Sequence, residues 1–405
     1  MNAGARELLV ASGQHLLLVL VAVAGAAAIA VPLGVVASRR AVLGRFLLAI
    51  AGVLQTVPSL ALFGLLIPLP WIGGIGARTA IIALLLYAVL PILRSTVTGI
   101  AGIDPAVRDA AVAMGMTPRQ QLLLVSLPLA APVIVSGLRV ATATAVGVAT
   151  IAAAIGAGGL GTYIFRGLRM YDTGLLLRGA VPAAAIAVAL DVALGMLSTG
   201  LDARARGSKA RSRALVAAIV AGVVAIVGAG AWAGRASAVA VRPGAPMLRV
   251  GSKDFTEQRI LGELIAQTLE SLGARVERRF ELAGSLCHQA LRSGEIDVYP
   301  EYTGTSYTAI LGHPAGPPPR QVYEQVRREY RDRYSLEVSE PLGFRNDFAM
   351  LVRGETARSL HLRTLSDVVG HADSLRAAFG QDFLVRADGF PGLSARYGIH
   401  FGVPP

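Results

Sequence analysis

The sequence predicts a polytopic α-helical membrane domain followed by an α/β domain of soluble character. Three observations carry this. Long apolar runs fill the chain up to Met247. Charge is divided at the same place: 19 Lys and Arg face 6 Asp and Glu through Met247, and 19 face 20 beyond it. From Met247 onward, strand-like and helix-like patterns alternate between turn residues. The composition agrees, with 54% hydrophobic and 16% charged residues and a mean hydropathy of +0.57. The net charge of +12 therefore belongs to the membrane half, where Lys and Arg mark cytoplasmic loops. A nucleic-acid partner would need a basic face on a soluble domain, and the region after Met247 is close to neutral.

A membrane span needs roughly 20 mostly apolar residues. Six segments qualify, at about 15–37, 44–67, 78–100, 129–156, 179–200 and 214–234. The first follows Arg6 and Glu7 and is long enough to stay in the bilayer, which is not the pattern expected of a cleavable signal. Eleven Lys and Arg lie on one side of the resulting topology, among them Arg39, Arg108 and Arg204, against six on the other. The richer side is cytoplasmic, so the N-terminus is outside and the residues from Leu248 are extracytoplasmic. Runs such as "ATATAVGVATIAAAIGAGGLG" supply the small residues that let membrane helices approach closely. Pro32, Pro58, Pro91, Pro132 and Pro182 predict kinks. Arg139 and Asp191 fall within spans four and five, where a charge needs a partner. They are expected to pair with each other, with direct solute contact as the other role.

The polar stretch between spans three and four reads as two short helices. Asp104-Pro105 opens the first, Gly115 ends it, and Thr117-Pro118 opens a second through Leu124. The segment "DAAVAMGMTPRQQLLLVSLP" resembles the coupling loop of ABC importer permeases. Asp109, Ala110, Ala111, Gly115, Val125, Leu127 and Pro128 match that motif, with Asp for the usual Glu and Val for Ile. "QTVPSLAL" and "GAGGLG" are similar to the same family. The resemblance implies a type I permease fold, a permease homodimer, and docking of this loop on a separate cytoplasmic ATP-binding subunit. No GxxxxGK[ST] phosphate loop occurs in the chain, so hydrolysis would come from that partner.

In the last part, "MLRVGS" reads as a strand and "DFTEQ" as an Asp-x-x-Glu capping box opening a helix at Asp254. Ile260, Leu261, Leu264, Ile265, Leu269 and Leu272 follow helical spacing. "ARVERRFEL" is a second strand, "SLCHQALRSG" a helix stopped at Gly294, and "IDVYPEYTG" a third strand with a turn. This order predicts a parallel sheet whose ligands bind beyond the strand C-termini. One cysteine, Cys287, excludes an intrachain disulfide and a cysteine metal cluster. No metal site, cofactor motif, nucleophile elbow or catalytic triad spacing is present, which argues against an enzyme.

"GSKDFTEQRILGELIAQTLE", "GEIDVYPEYTGT", "PLGFRNDFAMLVR" and "FLVRADGFPGLSARYGIHF" resemble the binding protein of glycine betaine, carnitine and choline importers. Relatives with a fused permease also carry ergothioneine. The resemblance implies a bilobed type II periplasmic-binding fold and a quaternary-ammonium ligand, a cation that aromatic faces hold without hydrogen bonds. By motif, Tyr302 and Phe348 are implied as cage walls, Phe348 standing where tyrosine is usual. Gln258 and Thr305 are implied as polar contacts, Asn346 as a further contact and Arg386 as a carboxylate clamp. Tyr299, Tyr307 and His288 read as structural. The similarity stops inside the second lobe at "HFGVPP", so that lobe is expected to be incomplete. The expected division is 1–201 for a permease of about five helices, 202–247 for a basic linker and sixth helix, and 248–405 for the binding domain. Import of another small solute, such as an amino acid, and solute sensing without transport are the other readings.

Overall fold

The computed structural model describes residues 3–204 and 247–402, apart from residues 70, 171, 285, 315, 381, 382, 385 and 387. The expected sixth span at 214–234 and most of the basic linker lie outside the described residues. The chain forms two compact units, 1–299 and 300–405, each described by itself.

In the first unit, α1 (Ala3–Arg39), α4 (Ala77–Ala101), α7 (Leu127–Ile151) and α9 (Thr173–Arg204) form the bundle. α4 packs on α1 and α7, and α7 on α9. Ala22, Ala26 and Ala30 recur one turn apart on α1 and are fully buried, so the backbones approach closely, as lipid-embedded helices require. Gly34 marks one such contact, where a Cβ would lie 2.6 Å from Thr96 of α4. Among the described residues, four helices are long and apolar enough to cross a membrane, or five if one bent pair is a single span. That pair, α2 (Ala41–Thr56) and α3 (Ser59–Leu66), covers the segment expected at 44–67 and breaks at Pro58, where a kink was expected: its halves meet at 99°. Pro58 has no N–H for the helix ladder and forces Val57 into an extended conformation, with φ −66° and ψ 126°. By contrast, Pro32, Pro91, Pro132 and Pro182 sit inside continuous helices.

Between α4 and α7, α5 (Pro105–Ala113) is capped by Asp104, whose carboxylate accepts from the Ala106 N–H at 2.9 Å. Thr117 and Gln120 form a reciprocal capping box at α6 (Pro118–Gln120). The second helix does not stop at Leu124 as expected. It continues through a π-helical turn, Gln121–Ser126, directly into α7, because no glycine or proline falls between Gln121 and Leu127; Pro128 lies inside the continuous helix, just after the π-helical turn.

From Met247, β1 (Met247–Lys253) and β2 (Arg275–Leu282) pair in parallel around α10 (Thr256–Ser271). α11 (Leu286–Arg292) follows. Two expectations are corrected here. The cap position of α10 is Phe255 and offers no side-chain cap; the neighbouring Asp254 carboxylate meets Arg169 at 3.3 Å. The third strand is reduced to one parallel bridge, Val298 to Val250, because Pro300 follows within two residues and cannot donate to a ladder.

The second unit contains short helices and no strand among its described residues. The turn α12 (Thr303–Thr305) leads into a π-helical turn, Ser306–Ile310, and α13 (Pro319–Tyr334) follows. Val322, Val326 and Tyr330, spaced by four, bury one face of α13 against Tyr307 and Leu311. The Tyr330 hydroxyl donates to the buried Ser306 Oγ at 3.0 Å.

Candidate functional site: coupling elbow, receptor seam and ligand residues

The loop between α4 and α7 forms an elbow. Gly115 occupies the left-handed region at φ +75°, which L side chains avoid, and is exposed together with Asp109, Ala110 and Pro128. Ala111 is the buried pivot, and its carbonyl accepts from the Met116 N–H at 3.1 Å across the turn. Val125 and Leu127 are half-buried beneath it. The Arg108 guanidinium donates to the Ile100 carbonyl, satisfying the C-terminal end of α4. Around this frame Val112, Met114 and Leu124 are each at least 60% exposed.

At the other end of the same helices, the β1–α11 segment packs on the membrane bundle. Ile75, just before α4, lies in a small core with Leu282, Cys287, Ala290 and Ile296. The Ile75 N–H donates to Glu295 Oε2 at 2.6 Å. After α7, the carbonyl of Ala154 accepts from the Ala283 N–H at 3.3 Å. Glu281 is nearly buried, and Arg166 at 2.9 Å, Arg259 at 3.1 Å and Arg169 at 3.7 Å converge on its carboxylate. Arg166 and Arg169 come from α8 (Gly161–Met170). The seam borders an open cavity of about 790 Å³ lined by residues including Arg166, Asp254, Phe255 and Arg259; none of the six expected ligand residues lines it. α4 and α7 have 25 residues each, so the elbow and the seam lie about 37 Å apart along them.

The expected ligand residues divide between the units. Gln258, in the first, is fully buried on α10, and its Oε1 accepts from the Lys253 N–H at 3.4 Å. In the second, the structure brings Thr305, Phe348 and Arg386 together. The Arg386 guanidinium lies 5.9 Å over the Phe348 ring and donates to Thr305 Oγ1 at 3.4 Å. Phe348 is 59% exposed and meets Phe383 edge-on at 4.8 Å. Tyr302 is half-buried at the cap position of α12, its N–H donating to Glu301 Oε1 at 2.8 Å. Asn346 stands exposed.

Sequence reasoning missed Asp388. Its carboxylate takes a two-pronged bond from Arg386, at 2.8 and 2.7 Å. The guanidinium holds the Asp388 carboxyl below the usual range, so the expected clamp already grips a carboxylate of its own chain. The signal was present as the Arg-x-Asp spacing. Tyr307 is buried against His313, and His288 is buried on α11. Among the described residues, no cluster fit to hold a metal occurs.

Residues 30–207 match the family model of the inner-membrane component of binding-protein-dependent transport systems. Residues 246–403 match the substrate-binding domain of ABC-type glycine betaine transport systems. Among curated proteins, the chain is 32% identical over 362 residues to the ergothioneine transport permease/ergothioneine binding protein EgtU of Helicobacter pylori. That alignment covers 88% of this chain and 64% of the relative's length. The choline transport system permease OpuBB of Bacillus subtilis is 44% identical over 190 residues, 47% of this chain and 86% of that one. The carnitine transport permease OpuCB of Listeria monocytogenes is 42% identical over 199 residues, 49% and 90% respectively. An elbow with the coupling motif, a bundle of apolar spans and a receptor segment at its far end thus meet in one sequence: the chain belongs to the binding-protein-dependent ABC transport permeases, as a multi-pass membrane protein fused to a substrate-binding domain of the glycine betaine type.

Proposed function

We propose that this chain is the combined permease and receptor subunit of an ATP-driven importer for quaternary-ammonium solutes of the glycine betaine, choline, carnitine or ergothioneine kind. The observation that carries the reading is the placement of the receptor seam and the coupling elbow at opposite ends of α4 and α7. A solute captured on one side of the bilayer is thereby linked through two continuous helices to a contact on the other. The excess of Lys and Arg on the elbow side supports a cytoplasmic elbow and an extracytoplasmic receptor. The exposed Val112, Met114 and Leu124 form the surface for a separate ATP-binding subunit, and two copies of the chain form the pore, as in the permease family at large.

In the receptor, Tyr302 and Phe348 supply aromatic faces for the trimethylammonium group, and Thr305, Gln258 and Asn346 supply polar contacts. Arg386 meets a ligand carboxylate only by exchanging Asp388 for it, which favours zwitterions over plain cations at that position. The test is calorimetric titration of the full chain in detergent with glycine betaine, choline, carnitine and ergothioneine. Tyr302→Ala should weaken the preferred ligand about tenfold, the scale of one cation–π contact, with no change in melting temperature. Unchanged affinity removes Tyr302 from the site, and no heat with any of the four ligands removes the solute class.

A further inference from the structure

We infer that the receptor's first segment, β1 through α11, stays seated on its own permease throughout the transport cycle, with no docking and release. The seam has the chemistry of an interior and not that of a transient contact. Ile75 belongs to the loop before a membrane helix, yet it is 6% exposed within the core that Leu282, Cys287, Ala290 and Ile296 of the receptor build. Undocking would open that core to water from both sides. Burial of one such side chain is worth about 1.5–3 kcal/mol. Leu286 of α11 also packs against the membrane bundle's own core, so the apolar contact runs in both directions.

Polar groups close the seam around this centre. The backbone N–H of Ile75 finds its acceptor in Glu295, and a Cβ at Gly74, where φ is +112°, would overlap that carboxylate. The Ala283 N–H reaches Ala154. Glu281 is held at φ +64°, a conformation costly for a residue with a Cβ. It gathers Arg166 and Arg169 of the permease with Arg259 of the receptor. Separation would leave the carboxylate without two of its three guanidiniums while keeping the backbone cost. Here the permease supplies part of the receptor's interior.

The inference rests on the importer reading only for its transport arm. Ala154→Cys and Ala283→Cys, in a Cys287→Ala background, place two thiols across the backbone hydrogen bond of the seam, within the reach of a disulfide. The full chain in its native membrane is oxidised with and without saturating glycine betaine or ergothioneine. Near-complete crosslinking is expected in both conditions, and uptake by the locked protein should stay within about twofold of the reduced protein. Crosslinking that needs ligand, crosslinking that fails, or a locked protein whose uptake returns only on reduction overturns permanent seating. If the reduced protein takes up none of the four solutes, the importer reading fails and crosslink yield alone decides seating. Glu281→Asn, which tolerates the left-handed backbone but carries no charge, should lower crosslink yield more than Glu281→Asp; equal yields would place the hold in the apolar core alone.

Discussion

Replacing Asp191 with alanine should bring uptake close to zero, and replacing both members of its pair together should recover a large part of it. Arg139 of α7 and Asp191 of α9 form a two-pronged bond, Nε to Oδ1 at 2.8 Å and Nη2 to Oδ2 at 2.7 Å. Both lie within helices long and apolar enough to cross the bilayer. Gly195, one turn beyond Asp191, flanks the guanidinium, and a Cβ there would sit in ordinary contact 3.4 Å from Arg139 Cζ. With Asp191→Ala the guanidinium stays within a span and has lost its carboxylate, and functional protein should fall roughly a hundredfold. Arg139→Met with Asp191→Leu removes both charges and keeps the volume, a replacement that tolerant ion pairs accept. Uptake normalised to monodisperse protein on size exclusion reads the result. Equal loss in the single and double variants would show that the charges act on the solute and not on each other.

Gly115→Val should cut uptake roughly thirtyfold while leaving ligand binding and membrane insertion unchanged. At φ +75° a β-branched residue loses about 2 kcal/mol, which shifts the elbow's population by that factor. No neighbouring atom lies within 4 Å of a Cβ built at Gly115, so the effect is on backbone shape and not on packing. Gly115→Asn, which tolerates the left-handed region, should retain most of the uptake. Solute-stimulated ATP hydrolysis measured beside uptake separates coupling from assembly. Should valine and asparagine behave alike, the turn geometry of the elbow is not what transmits the motion.

The membrane helices were legible because lipid imposes one demand, length with low polarity, and α1, α4, α7 and α9 meet it. The elbow was legible at its start, where Asp104, Thr117 and Gly115 carry local signals that need no tertiary context. Its end was not: no glycine or proline falls between Gln121 and Leu127, and the sequence pattern at Leu124 does not distinguish a loop helix from the start of a span. The break at Val57-Pro58 was legible in the proline but not in its size: five prolines predicted kinks, and the one at Pro58 divides the span at 99° while the other four lie inside helices. In the receptor, Val298 carries strand propensity and bonds to β1 at Arg249 and Gly251, but Pro300 ends the pairing there.

The candidate site divides along similar lines. Residues whose own chemistry suggests a role, such as Tyr302 and Phe348, could be put forward as candidates from motif. Residues defined by what they face were not. Ile75, Glu281 and Glu295 lie far apart in sequence, and nothing in "PWIGGIGAR" or "RRFEL" announces that the two segments meet. Asp388 was hidden for the opposite reason. It stands two residues from Arg386, close enough to be taken for an unrelated turn residue.

Ile75 is supplied by one part of the chain and housed by another. A foreign receptor spliced onto this permease would arrive with a hollow shaped for some other side chain, and the graft would be loose at its centre. Exchange of that module would require the loop before α4 to be recut in the same stroke.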